Sequence, residues 1–232
     1  MNKLSYFQNG LISSLEDLEI IANKKHGRIL VFSDTHNIDS NIVSEVIENF
    51  AQDVDVLLFC GDGIDDIGEI LQDALNNEKQ QEKLPELIAV VRGNNDPKNY
   101  VLSLPAKEEE LEASNYKMFQ IEIPEAVSFM VAGRRVFASH GHRHCVNFSM
   151  DNLYAIAENL PADMIFYGHT HRGYQEETQG TLFLNPGSLC LPRGGQEPSF
   201  AVVSFPGITE RYTVEYFTME KTLLGSYVFS KI

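Results

Sequence analysis

Met164-Ile165-Phe166-Tyr167-Gly168-His169-Thr170-His171 is the stretch on which the reading of this chain turns. Four apolar residues that stop at a glycine read as a buried strand ending in a loop. The loop then offers imidazoles at i and i+2, which project to the same side of an extended backbone and can reach one small object. An imidazole pair with no neighbouring cysteine suits a transition-metal site. Two histidines in a surface loop are an equally ordinary reading, and this pair alone does not separate the two.

Repetition separates them. Ile29-Leu30-Val31-Phe32 runs into Ser33-Asp34-Thr35-His36, and Val56-Leu57-Leu58-Phe59-Cys60 runs into Gly61-Asp62-Gly63. Ile88-Ala89-Val90-Val91 runs into Arg92-Gly93-Asn94-Asn95-Asp96, and Val136-Phe137-Ala138 into Ser139-His140-Gly141-His142. Ligands of open α/β sheets bind outside the carboxyl ends of the strands. Convergence of these strand ends would place Asp34, His36, Asp62, Asn94, His140, His169 and His171 around one spot.

At 232 residues, 43% of them hydrophobic, the chain suits one domain or at most two and can bury a sizeable core. Its 33 acidic against 18 basic residues leave a net charge of -15, which argues against gripping a long nucleic acid. Small anionic substrates are a separate matter, because bound divalent metals reverse the potential locally. The cysteines, Cys60, Cys145 and Cys190, have no framework spacing, so a reducing, cytoplasmic setting is expected. No signal peptide is recognisable, and no stretch approaches the roughly 18 apolar residues of a membrane span.

Residues 1–27 read as a helical extension in front of a domain spanning 28–232. Ser13 with Glu16 fits a capping box, and Leu11, Leu15, Leu18 and Ala22 follow at helical spacing. Its bland role is to pack on the domain surface; binding a partner or a second copy in a homo-oligomer is the other. Asp39 or Ser40 caps a helix with Ile42, Val43, Val46, Ile47 and Phe50 on its apolar face, and Ile64 to Leu75 forms another. This strand–helix rhythm means parallel βαβ units. Residues 97–117, with Glu108-Glu109-Glu110, read as a solvated connection or short helix. Hairpins are expected at 127–139 and at 200–217, with a helix around Leu153 to Leu160 between them.

The ordered set Asp34-Thr35-His36, Gly61-Asp62, Gly93-Asn94, His140-Gly141-His142 and Gly168-His169-Thr170-His171 resembles the calcineurin-like metallophosphoesterase superfamily, in particular its small single-domain bacterial and archaeal phosphodiesterases. The likeness runs from about Arg28 to Phe217 and includes the turn Asn185-Pro186-Gly187-Ser188. Six of the seven histidines fall in or beside these motifs, more than scatter would give. The resemblance implies an α/β fold, a four-layer α/β/β/α sandwich of two stacked mixed sheets with flanking helices. It implies a phosphoesterase, expected to be a phosphodiesterase acting on a small phosphate ester. It also implies two divalent metals, the first held by Asp34, His36 and His171, the second by Asn94, His140 and His169, with Asp62 bridging. Such ligands suit manganese first, with iron, zinc or nickel as alternatives. Two cations about 3.5–4 Å apart share and acidify one water, and the bridging hydroxide attacks phosphorus in line.

One position departs from the family pattern. Many members carry histidine after the motif asparagine, where it protonates the leaving group; here it is Asn95, whose amide is no useful acid. Asp96, which orients that histidine elsewhere, has an open role, and His142 is the alternative proton donor or phosphate contact. His144, Arg172 and Arg193 read as structural or surface residues, with anion binding the second reading for the arginines. A non-catalytic scaffold on the same fold is the competing function, disfavoured by the intact ligand set. A nuclease on long DNA conflicts with the acidic charge.

Overall fold

The computed structural model describes residues 2–105, 116–206, 211–223 and 225–232. Its centre is three parallel strands, β3 (His26–Phe32), β4 (Val56–Phe59) and β5 (Leu87–Val90), each buried almost throughout. Strands covered on both faces need no polar alternation, which is why these segments are continuous apolar runs. Alternate side chains nevertheless serve different cores. Leu30, Phe32, Leu57, Phe59, Ile88 and Val90 pack with Val43, Val46 and Ile47 of α2 (Ser40–Phe50) and Ile64, Ile67 and Leu71 of α3 (Ile64–Asn76). Ile29, Val31, Val56, Leu58, Leu87 and Ala89 face the opposite way.

There they meet a second sheet. Its strands are β8 (Ala126–Val131), β9 (Arg134–Ser139), β10 (Met164–Phe166), β11 (Gly173–Thr178) and β12 (Thr181–Pro186), in the order β11-β12-β10-β9-β8. Val136, Ala138, Met164, Phe166, Leu182 and Leu184 supply its half of that core. Phe137, Ile165 and Phe183 point outward and pack with Leu153 of α5 (Asp151–Asn159). Pairing is parallel for β9-β10 and β10-β12 and antiparallel at both edges, so the sheet is mixed. The first sheet is mixed too. β13 (Ser199–Pro206) pairs antiparallel with β3 and continues into β14 (Thr213–Lys221) and β15 (Tyr227–Lys231). The α/β class, the parallel units and both hairpins are as expected.

Two segments differ from expectation. The helix of the N-terminal segment is present as α1 (Leu15–Ala22), but Ser14, not Ser13, caps it by accepting a hydrogen bond from Asp17 N. In front of it lies a hairpin of β1 (Tyr6–Gln8) and β2 (Leu11–Ser13), and β2 pairs with β5, giving the first sheet eight strands. Three-residue strands are too short to show a period, although the turn signal Asn9-Gly10 was there, with both residues at positive φ. Likewise the described part of 97–117 is strand rather than solvated connection. β6 (Asn99–Pro105) pairs with β7 (Tyr116–Glu122), and Leu102 and Tyr100 pack with the α3 core. The Glu108-Glu109-Glu110 run lies outside the described residues. A short helix α4 (Glu78–Gln81) follows α3. No described helix is long and apolar enough to cross a membrane.

Candidate metal centre

β3, β4, β9 and β10 end on the same side of the molecule, and backbone bonds tie their loops together. Asp34 N donates to Gly61 O (2.9 Å), His36 N to Asp62 O (2.8 Å) and Gly168 N to His140 O (3.0 Å). The two sheets are clasped where His169 N donates to Asp34 Oδ2 (3.0 Å). Asp34, Asp62, His140 and His171 are buried, and His36 is half-buried.

The side chains are arranged for a cation. His140 Nδ1 donates to Cys60 O and His171 Nδ1 to Leu191 O, each at 2.7 Å, so in the neutral form of each ring the lone pair is on Nε2. Backbone carbonyls orient metal-binding imidazoles in the same way. His171 Nε2 lies 3.2 Å from both Asp34 Oδ1 and His36 Nε2. His140 Nε2 lies 3.4 Å from Asp62 Oδ2 and 3.9 Å from Asp34 Oδ1. Asp34 Oδ1 and His140 Nε2 are buried with no hydrogen-bond partner. Orphaned buried polar atoms are costly and rare, and a bound ion is a standard resolution. Two groups can each close on an ion, Asp34-His36-His171 and Asp34-Asp62-His140. The donor set, carboxylate and imidazole without thiolate, fits a divalent transition metal.

Backbone strain concentrates here. Asp34, His36, Asp62, His169 and His171 all take positive φ, between 55° and 68°. Non-glycine residues avoid that region, and such outliers gather at functional sites. Two glycines permit the close approach. A Cβ on Gly93 would fall 1.9 Å from Asp62 Oδ1, and one on Gly168 would fall 2.0 Å from Ser33 Oγ.

Burial pushes the Asp34 carboxyl up to about 7, with the charge of His140 pulling the other way. Burial also acts to raise Asp62, but the nearby charge of His140 and the two hydrogen bonds from Asn95 outweigh that and hold it well below the carboxylate range. His140 is raised, because Asp62 and Asp34 outweigh the effect of burial. His169 is depressed to about 4, first by burial and then by the charges of His140 and His142.

Not every expected residue joins. Asn94 is exposed and makes no hydrogen bond among the described residues. The His169 ring lies 5.1 Å from that of His140, and its Nε2 is 2.9 Å from Asn147 Nδ2. Asn147 was not foreseen, since its segment carries no periodic signal. Asn95 turns inward: its N donates to Asp62 Oδ1 (2.8 Å) and its Nδ2 to Asp62 Oδ2 (2.7 Å). His142 sits 5.4 Å from the His140 ring, with Nδ1 unpartnered and Nε2 3.5 Å from Oε2 of Glu125. Glu125 also takes Arg92 and Arg143. His144 packs with Ser139 and Phe137, in keeping with a structural role.

The role that the sequence leaves open for Asp96 is structural in its contacts. Its carboxylate accepts from Asp62 N, Gly63 N, Ile64 N and Gly93 N at 2.7–2.9 Å. These fill its roughly four lone-pair sites, so it is not free to orient a catalytic group. It caps α3 from outside, whose own N-cap, Gly63, has no side chain to do so. The turn Asn185–Ser188 plays a matching part: Asn185 Nδ2 donates to Gly168 O (2.8 Å) and Ser188 Oγ to Asp34 O (2.7 Å). Asp96→Ala would strand these amides and is expected to cost at least about 3 kcal/mol. Chemical denaturation measures it; a loss below about 1 kcal/mol would deny the latch.

Residues 28–206 match the model of the calcineurin-like phosphoesterase superfamily domain. The chain belongs to this superfamily. As a calcineurin-like metallophosphoesterase it is a hydrolase of phosphate esters, in a family that uses divalent metals. It is 31% identical over 164 residues to the phosphodiesterase MJ0936 of Methanocaldococcus jannaschii, covering 70% of this chain and 84% of that one. It is 26% identical over 176 residues to the probable metallophosphoesterase YsnB of Bacillus subtilis, covering 76% and 83%. Among solved structures, a predicted phosphoesterase from Streptococcus pneumoniae superposes with a TM-score of 0.59 at 24% identity, covering 90% of this chain and 99% of that one. Vacuolar protein sorting 29 from Cryptosporidium parvum gives 0.60 at 17% identity, covering 90% and 98%. At these identities both show the fold alone.

Proposed function

We propose that this calcineurin-like metallophosphoesterase is a phosphodiesterase working at a two-metal centre. Asp34, His36 and His171 would hold one ion, Asn94, His140 and His169 the other, and Asp62 would bridge. The carrying observation is the pair of buried, unpartnered atoms Asp34 Oδ1 and His140 Nε2, aimed at one another's neighbourhood from different sheets. When bound, the ions supply Lewis acidity toward water and neutralise charge on the phosphoryl group. Imidazole-rich ligation favours manganese over magnesium, which prefers oxygen ligands and retained waters.

The chain's own residues set the rest. Cys60 O and Leu191 O fix the tautomers of His140 and His171. Asn95 steers the Asp62 carboxylate through both oxygens and has no acidic proton to give. With Asp96 saturated as well, no oriented acid stands at that corner, and unless His142 donates, the leaving oxygen departs with its charge. The cost of a missing acid is about 10²–10⁴-fold and is greatest for basic leaving groups.

Manganese-reconstituted protein should therefore hold close to two ions per chain by elemental analysis. It should cleave bis(p-nitrophenyl) phosphate at least about 10²-fold faster than dialkyl esters. Asn95→His should restore less than about tenfold on the alkyl esters, because Asp96 cannot orient the new ring. Metal content well under one per chain would sink the two-metal reading, and a flat dependence on leaving-group pKa would reveal a proton donor after all.

A further inference from the structure

A groove of about 550 Å³ opens beside the proposed centre, large enough for a small organic ligand. Asn147, which faces His169, and Thr170, between the two loop histidines, line the groove and join it to the proposed centre. Phe148, Tyr174, Arg172 and Arg193 line it as well. Phe148 is 92% exposed, a fully solvated ring on a turn, and Tyr174 is 44% exposed. A large apolar ring left in water beside a cleft is the informative kind of exposure.

The arginines matter because the chain as a whole carries -15. Neither guanidinium pairs with a carboxylate among the described residues. Arg172 lies on the Gly194 turn, where an added Cβ would stand 2.9 Å from its Nε. Arg193 is anchored by its own N–H to His171 O (2.9 Å), and its charge is near enough to depress His171, after burial has done the most. Two cations without a carboxylate partner and two aromatic rings thus line one groove beside the loop that carries His169 and His171. Bases stack on aromatic side chains with little regard to sequence, and arginine recognises phosphate through a planar fork.

We infer that the groove is the subsite for the retained half of the substrate, a nucleoside whose base stacks on Phe148 and Tyr174 and whose second phosphate meets Arg172 and Arg193. The substrate class is then a small nucleotide phosphodiester with an additional anionic group. The inference rests on the phosphodiesterase reading above, and the experiment separates the two.

Two esters with one leaving group decide it: methyl p-nitrophenyl phosphate and thymidine 3′-phosphate 5′-(p-nitrophenyl phosphate). Hydrolysis adds water across the phosphorus–oxygen bond and releases p-nitrophenol from each, so chemistry is constant and only the retained group differs. The manganese-loaded protein should show kcat/KM at least about tenfold higher for the nucleotide ester, mostly through KM. Phe148→Ala should lower that ratio at least about fivefold; the ring is solvated, so its loss leaves packing intact. Arg172→Ala should remove the advantage of the 3′-phosphate over the plain thymidine 5′ ester. Equal kcat/KM for the two esters, or equal losses on both in Phe148→Ala, would overturn the subsite and leave the enzyme standing. If neither ester is cleaved, equilibrium dialysis with thymidine 3′,5′-bisphosphate decides: binding lost in Phe148→Ala supports the groove and refutes the phosphodiesterase, and no binding refutes the groove.

Discussion

Asp62→Ala is expected to lower kcat/KM on an activated aryl diester by at least about 10³-fold and to lower the occupancy of both ions together. The carboxylate lies 3.4 Å from His140 Nε2, takes two hydrogen bonds from Asn95 and closes one of the two candidate ligand groups. Removing it strands Asn95 and leaves His140 without its charged neighbour. His171→Ala should instead deplete chiefly the ion shared by Asp34 and His36. Metal analysis of the two variants alongside their rates makes the distinction. An Asp62→Ala protein that kept both ions and near-wild-type turnover would show that the carboxylate bridges nothing.

Asp34→Asn should act in opposite directions on the metal-free and the metal-loaded protein. The Asp34 carboxyl is raised from 3.8 to about 7 by burial, so the folded state holds a proton that the unfolded chain releases near pH 4. Its contribution to stability is complete below that pH and is lost as pH rises to about 7. Asparagine carries no such penalty. In chelator the variant should therefore gain on the wild type from about pH 4 to 7 and level off above, by an amount on the order of 4 kcal/mol. With manganese the order should invert, because the ion requires the charged carboxylate. Taking the difference between the variants cancels the histidines that Asp34 does not act on; His140, raised partly by Asp34, does not cancel and is followed separately by NMR titration. A difference that stays flat with pH in chelator would show that Asp34 is not held protonated by its surroundings.

The strand-end pattern made the heart of the site legible. Asp34, Asp62, His140, His36 and His171 follow directly behind apolar runs, and parallel pairing brings such ends together whatever lies between them. What was not legible depended on the backbone. Asp96 matters through four amide donors, and no residue type advertises a free amide. Asn147 and Glu125 touch His169 and His142 from segments without periodicity. The β1-β2 and β6-β7 hairpins escaped for related reasons, one being too short for alternation and the other lying beside a charged run. Asn94 shows the limit from the other side. Its motif marks it as a ligand, yet it makes no hydrogen bond among the described residues, while the equally exposed Asn95 binds both oxygens of Asp62.

The clasp between the sheets has a kinetic meaning. His169 and Asp34 are joined across 135 residues, as are His171 and His36. Contacts so distant along the chain form late, since the loop between them must be closed before they return anything. Neither ligand group can therefore exist in a half-built chain: each needs loops from strands that are neighbours only in the finished molecule. An ion arriving during synthesis has no template to assemble. Once bound, it would be a lock turned last, slowing the opening of the folded protein while leaving the pace of its formation to the apolar strands.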